Sequence, residues 1–476
     1  MSDLFISGGY VVTMDSQRRV IEDGAVAVKG KFIEEVGPRT EIEARHKDKQ
    51  LINAKGKVVL PGLIDGHGHA GHSLVKTLGA GRTGAWAETV DKIYAESTDA
   101  QFWYADALLT SLERIKFGVT TGVSFFGGGT MVVRSDEPLY GDSHCRAIKE
   151  MGIREFLAVG PSNPPYPRKY VSWENDASTE KLVEFDDYVK TSESLINKWH
   201  GQSDGKINLM VMLPVHNPEN SMQDLDALKY QASTMRGLSK KHNIIFAQDG
   251  HSRGTVKFAH EELELLGPDV LLSHSTGLTD EEILICKETD TKIVHNPSAV
   301  AAIMARCPVP ELIDAGVTVI LGSDGNAPDR SFDMFRHMAQ CMHYQRTHFH
   351  DPSYMPNGKI LEMVTIDSAK ALGIQEKIGS LEINKSADII LIDMEKPHLY
   401  PPNMPLFRIT NFASGHDVHT VIVDGAIIME DRVTKLVNEK DILCLARNAT
   451  DTMLDRANVR DLLTIPEGFW GKSKFP

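Results

Sequence analysis

The chain has 476 residues, 41% of them hydrophobic, and a formal net charge of −14. That length suits one large barrel, or a barrel with a satellite domain, rather than a single small core. The acidic balance argues against nucleic acid or an anionic membrane as partner, because no basic stripe is offered to phosphates. No apolar run reaches the length of a membrane span, and the opening "MSDLFISGGY" lacks the basic flank and apolar core of a secretory signal. Cys145, Cys286, Cys307, Cys341 and Cys444 are scattered without close pairs, which points away from a disulfide framework or a thiolate zinc cluster. The expectation is a soluble, cytoplasmic homo-oligomer that works on a small molecule.

In chain order, "DLFISGGYVVTMD" reads as a hairpin around Gly8-Gly9, and "GAVAVKGKFIEEVG" as another turning at Lys29-Gly30. From about residue 60 the rhythm changes. "KGKVVLPGLID", "FGVTTGVSFF", "REFLAVGPS", "INLMVMLPVH", "NIIFAQDGH", "DVLLSHS", "TKIVHNPS" and "VTVILGSDG" are short apolar runs, bounded by Gly, Pro, Ser or Asn. Helical patterns such as "DALLTSLERIK" and "DEEILICKE" separate most of them. Apolar strands alternating with helices imply a parallel sheet covered on both faces. Eight such strands is the number of a closed β/α barrel, with an open doubly wound sheet as the alternative. Past about residue 377 strand character returns in "KSADIILIDM" and "DVHTVIVDGAIIMEDRVT". The layout is therefore α/β: a barrel over 61–377, and a small composite β-sandwich from 1–60 and 378–476, the second part ending in a C-terminal tail.

The chemistry-bearing residues sit at the ends of these strands. In "LIDGHGHAGH", His67 and His69 stand at i and i+2, so on a strand both side chains point to one face and can reach one ion. His72 is out of that register. The bland alternative is two polar residues in a Gly-rich turn. His216, Gln248, His251, His274, His295 and Asp324 follow other strands. In a barrel all of these ends meet at one rim, where such folds carry their active sites.

These segments also carry a family resemblance. "LPGLIDGHGH", "LLSHSTGLTDEEI", "IVHNPSAVAAI", "PELIDAGVTVILGSDG" and "IGSLEINKSADIILID" together resemble the metal-dependent amidohydrolase superfamily. The look is of the branch with triazine hydrolases and aminohydrolases of guanine, cytosine and adenosine-type substrates. The resemblance implies a distorted (β/α)8 barrel plus a composite sandwich built from both termini. It implies that His67 and His69 are the first-strand metal pair. Asp324 would be the eighth-strand aspartate that binds the metal and takes a proton from its water, which a metal acidifies towards neutral pH. His274 would ligate or orient that water. His216, with Asn217 beside it, would lie near substrate, and His295 would be structural.

The fifth strand departs from the branch, which commonly has His-x-x-Glu there; here the frame reads Gln248-Asp249-Gly250-His251. Gln248 would be a weak metal ligand. His251 would be a proton shuttle or, with the strand shifted, itself the ligand; a misplaced frame with both outside the site is the remaining reading. Deaminating a cyclic amidine requires protonation of a ring nitrogen, which suits the missing glutamate. The pattern therefore favours C–N hydrolysis in a urea, amide or carbamate, most similar to phenylurea and thiocarbamate herbicide hydrolases. The alternatives are an aminohydrolase or dechlorinase of an N-heterocycle, and a non-catalytic scaffold. One divalent ion is expected, zinc first, with iron, manganese or cobalt as options. "INLMVMLPVH" has no lysine to carry a bridging carboxylate, though His274 leaves room for a second ion. Tyr166 and Trp86 lie in segments read as loops able to stack on an aromatic substrate. His343, His348 and His350 are read as surface histidines, and "FFGGGTM", without a Lys-Ser/Thr, as a loop rather than a phosphate cradle.

Overall fold

The computed structural model describes residues 3–82, 84–128, 131–174, 177–217, 224–299, 304–471 and 473. Among these residues eight parallel strands form one sheet in strict chain order: Leu63–Asp65, Val119–Phe125, Arg154–Val159, Ile207–Met212, Phe246–Gln248, Val270–Ser273, Lys292–His295 and Val319–Leu321. Each falls within one of the apolar runs. The first and last strands meet through Gly66 N–H donating to Leu321 O at 3.0 Å, and Asp324 N–H donating to His67 O at 2.9 Å. The sheet thus closes as a distorted (β/α)8 barrel. The strands are buried almost throughout, as a barrel jacketed by helices requires.

Both chain ends build a second sheet. Among the described residues it has nine strands, and its centre pairs Lys57–Pro61 with Ile389–Asp393 antiparallel, which joins the two termini. Alternate residues face opposite ways. Val59, Ile389 and Leu391 enter a core of the domain's own, with Leu4, Ile6, Val26, Val28, Ile33 and Ile422. Val58, Leu60, Ile390 and Ile392 join the large barrel core. Ile33 and Ile422 come from strands remote in the sheet order yet share one core. The strand after the Lys29-Gly30 turn also reaches back, with Ile33 N–H donating to Lys385 O. The sheet folds over itself in the manner of a sandwich. At the bottom of the barrel Arg154 bridges Asp388 and Asp424 of this sheet domain, and all three are buried.

Three local expectations are corrected. Leu4–Val12 is one strand rather than a hairpin: the Gly8-Gly9 pair produces irregular register against Val20–Lys29, not a turn. Trp86 lies in a helix, Ala85–Tyr94. A two-stranded hairpin, Arg168–Glu174 with Ala177–Val183, stands between the third strand and its helix, where no strands were anticipated. The C-terminal segment is a helix, Glu439–Ala457, packed on the barrel helix Ala100–Lys116. No helix of the described residues is long and apolar enough to cross a membrane.

Candidate metal centre

His67, Asp249, His274 and Asp324 each bring one ligand atom within 4.8 Å of the others at the barrel's C-terminal mouth. His67 and His69 follow the first strand, and the backbone stays extended there: Phe125 N–H donates to Gly68 O and Ala70 N–H to Phe125 O. That pairing keeps both imidazoles on the inner face. His274 and Asp324 follow the sixth and eighth strands with φ of +65° and +62°. Such left-handed conformations are unfavourable for non-glycine residues and concentrate at functional sites.

The donor atoms converge tightly. His67 Nε2 is 3.3 Å from Asp249 Oδ1 and 3.3 Å from Asp324 Oδ1. His274 Nε2 is 3.1 Å and 3.6 Å from the same two oxygens. His69 Nε2 lies 3.1 Å from Asp324 Oδ1 and 3.5 Å from Asp249 Oδ2, while its Nδ1 faces Gly127 O at 3.1 Å, a contact that fixes the ring.

Burial opposes ionisation of the two aspartates, yet His67 and His274 hold both carboxyls well below the usual range. Burial likewise opposes charge on His274, but Asp324 and Asp249 push its imidazole up to about 10. The same balance raises His67. Three imidazoles and two carboxylates therefore demand positive charge at their centre. A divalent cation satisfies that demand with the imidazoles neutral, and His67 Nε2, buried and without a hydrogen-bond partner, is a free lone pair for it. The N/O donor set fits a divalent first-row ion.

The fifth strand differs from the ligand expectation for Gln248 and His251. Asp249, not Gln248 or His251, enters the cluster. Gln248 turns its amide nitrogen to Leu213 O and Pro214 O at the end of the fourth strand. Its Oε1 meets His251 Nε2 at 3.3 Å, and His251 Nδ1 meets Thr255 Oγ1 at 2.9 Å. Both side chains are thus occupied by the scaffold, and burial pushes His251 down to about 3, leaving it neutral. Asp249 is secured by Ser273, whose hydroxyl donates to Oδ1 at 2.6 Å. A carboxylate directly after an apolar run was the signal that could have found it.

The other candidates divide. His216 is buried, its Nε2 unpartnered, and burial pushes it down to about 4. Asn217 is half-buried beside it; neither belongs to the cluster. His295 is buried with both ring nitrogens unpartnered and is pushed down to about 3 by burial, then by the nearby His274. Tyr166 is absorbed by packing: its hydroxyl donates to Ser162 O and its ring lies against Phe185 and Tyr188. His72 stacks on His69 and meets Trp86 edge-on. His343, His348 and His350 are exposed on or just beyond the helix Met334–Phe349. Gly129 and Thr130 of the glycine-rich stretch lie outside the described residues.

A model of the amidohydrolase family matches residues 58–428. A 5′-deoxyadenosine deaminase from Methanococcoides burtonii is 29% identical over 469 residues, 97% of this chain and the whole of that protein. A 5-methylthioadenosine/S-adenosylhomocysteine deaminase from Syntrophobacter fumaroxidans is 29% identical over 93% of this chain and 96% of its own length. Among solved structures, a zinc-bound adenosine deaminase from Xanthomonas campestris superposes with a TM-score of 0.78 at 21% identity, over 95% of this chain and 99% of that one. Atrazine chlorohydrolase from Arthrobacter aurescens gives 0.76 at 20%, over 94% and 100%. At those identities the two structures speak to the fold.

Proposed function

The chain belongs to the amidohydrolase family and is a metal-dependent hydrolase of C–N bonds; from that premise we propose that it is an aminohydrolase of an amino-substituted N-heterocycle, with a 5′-deoxyadenosine-type nucleoside as substrate and zinc as its ion. The observation that carries this reading is the end-to-end similarity to the two named deaminases. A phenylurea-type substrate has no such support.

When bound, the ion supplies Lewis acidity, lowering the pKa of a water in its coordination sphere. His67, His274, Asp249 and Asp324 would hold it, with His69 beside Asp324. Asp324 is ionised, and its Oδ1 faces the three imidazoles. Its Oδ2 is free of them and takes the proton of the attacking water, then delivers it to the departing amino group, which leaves as ammonia. Residue 251 is a neutral histidine rather than a carboxylic acid, so the ring nitrogen is met by a hydrogen bond from a neutral imidazole instead of by a full proton donor; we assign that contact to His216, also neutral and with an open Nε2.

That replacement at residue 251 favours a second reading, hydrolysis of an acyclic urea, amide or carbamate, which needs no ring protonation. A panel of 5′-deoxyadenosine, 5′-methylthioadenosine and a phenylurea on zinc-loaded enzyme separates the two. Ammonia from the nucleosides supports the proposal. Aniline from the urea, without ammonia from either nucleoside, overturns it.

A further inference from the structure

Directly beneath the extended His67-Gly68-His69 segment lies a fully buried ion pair, Arg114 with Asp65 at 2.8 Å. We infer that Asp65 and Arg114 are positioning residues that set the spacing between the two strand ends bearing His67, His69 and Asp324. The role concerns ion binding and holds whichever C–N substrate the enzyme uses.

The case rests on where the carboxylate of Asp65 sends its bonds. Oδ1 accepts from the backbone N–H of Ser323 at 2.9 Å and from that of His67 at 3.5 Å. Oδ2 accepts from the Ser323 hydroxyl at 2.9 Å and from Arg114 Nε and Nη2 at 3.2 and 2.8 Å. One carboxylate therefore grips the first strand at His67 and the eighth strand one residue before Asp324. The Ser323 hydroxyl lies 3.2 Å from His67 O and accepts from Gly325 N–H at 3.2 Å, which ties the far side of Asp324 as well.

Arg114 fixes the carboxylate in turn. Its Nη2 also donates to Val123 O at 2.9 Å and its Nη1 to Ser124 Oγ at 3.0 Å, so the fork is anchored on the second strand. Glu155 lies 3.7 Å from Nη1, and the guanidinium lies over the ring of Phe332. Two glycines make room for it. A Cβ on Gly122 would stand 2.4 Å from Nη1, and one on Gly68 would stand 2.9 Å from Nη2. The glycine between the two histidines is thus explained by an arginine 46 positions further on, not by any turn in the chain. A helix residue is admitted through gaps in the barrel wall to reach the underside of the metal centre. Partners that orient ligands from behind commonly account for about 10–100-fold in metal affinity.

Asp65→Asn and Arg114→Met test this, with Ser323→Ala as a milder variant that removes only a hydroxyl. The readouts are the Zn(II) dissociation constant by competition with a chromophoric chelator and the visible spectrum of the Co(II)-loaded protein, neither needing substrate. Arg154→Lys, a buried arginine at the other end of the barrel, is the control. The inference expects about 10–100-fold weaker Zn(II) binding and an altered Co(II) spectrum for Asp65→Asn and Arg114→Met. It expects a smaller shift the same way for Ser323→Ala, and wild-type values for the control. Wild-type affinity and spectrum in whichever of the three variants fold, or an equal loss in the control, would overturn it.

Discussion

Asp249 and Asp324 stand on either side of His67, each with a carboxylate oxygen 3.3 Å from its Nε2. The two aspartates come from the fifth and eighth strands and meet only because the barrel closes. Their shared neighbour makes Asp249 an equal member of the centre, although the fifth strand was expected to offer Gln248 or His251.

Replacing Asp249 with Ala should therefore weaken zinc binding by at least about 100-fold, the upper end of what outer partners account for. Gln248→Ala, which removes a contact to the Leu213 and Pro214 carbonyls, should leave affinity within about threefold. Equilibrium competition with a chelator measures both. Tight binding in Asp249→Ala with loss in Gln248→Ala would restore the other frame.

Chelation of the ion should abolish C–N hydrolysis, and stoichiometric zinc should restore it. Activity in chelator-treated protein shown by metal analysis to be ion-free would contradict the cluster's role.

Acid should weaken the fold through buried neutral histidines. His216 and His295 are pushed down by burial to about 4 and about 3, so between those values and about 6.5 the unfolded chain binds more protons than the folded one. Stability then rises with pH across that window and falls on acidification, by about 1 kcal/mol per histidine from pH 7 to 5.5. Asp106 runs the other way: burial raises it to about 6, so protonating it relieves part of the loss. Chemical denaturation at the two pH values should show a smaller drop for His295→Leu than for wild type; an equal or larger drop would exclude His295 as a source.

Tyr166→Phe should cost about 1 kcal/mol, the usual contribution of one hydrogen bond, here the one to Ser162 O. KM should stay within about twofold, because the ring packs on Phe185 and Tyr188. A large rise in KM at unchanged stability would return Tyr166 to the substrate.

The sequence was most legible where one physical rule acts alone. Eight runs such as "INLMVM" and "DVLLS" had to be buried on both faces, and each holds a barrel strand, although the first also gives Lys57–Pro61 to the sandwich sheet. His67 and His69 were legible from strand alternation, and His274 and Asp324 from their places after apolar runs. What escaped depends on tertiary context. Gly8-Gly9 looks the same as a turn or as an irregular pairing inside one strand. Gln248 reads as a ligand until the Leu213 and Pro214 carbonyls are brought beside it. Asp249 carries no local mark that sets it above its neighbours, because it lies inside the Gln248-Asp249-Gly250-His251 frame, whose outer residues occupy the spacing of His-x-x-Glu. The reason for Gly68 lies in Arg114, and no local pattern could reveal it.

The barrel's closing bonds, Gly66 to Leu321 and Asp324 to His67, have a consequence for how the protein is made. His69 and Asp324 are 255 residues apart, so no emerging chain holds a complete ion site until the eighth strand has left the ribosome and docked against the first. Capture of the ion is therefore a late event that marks a finished barrel. Chains stalled or cleaved before Asp324 should bind zinc no better than unfolded protein, and supplying the ion should rescue complete chains only.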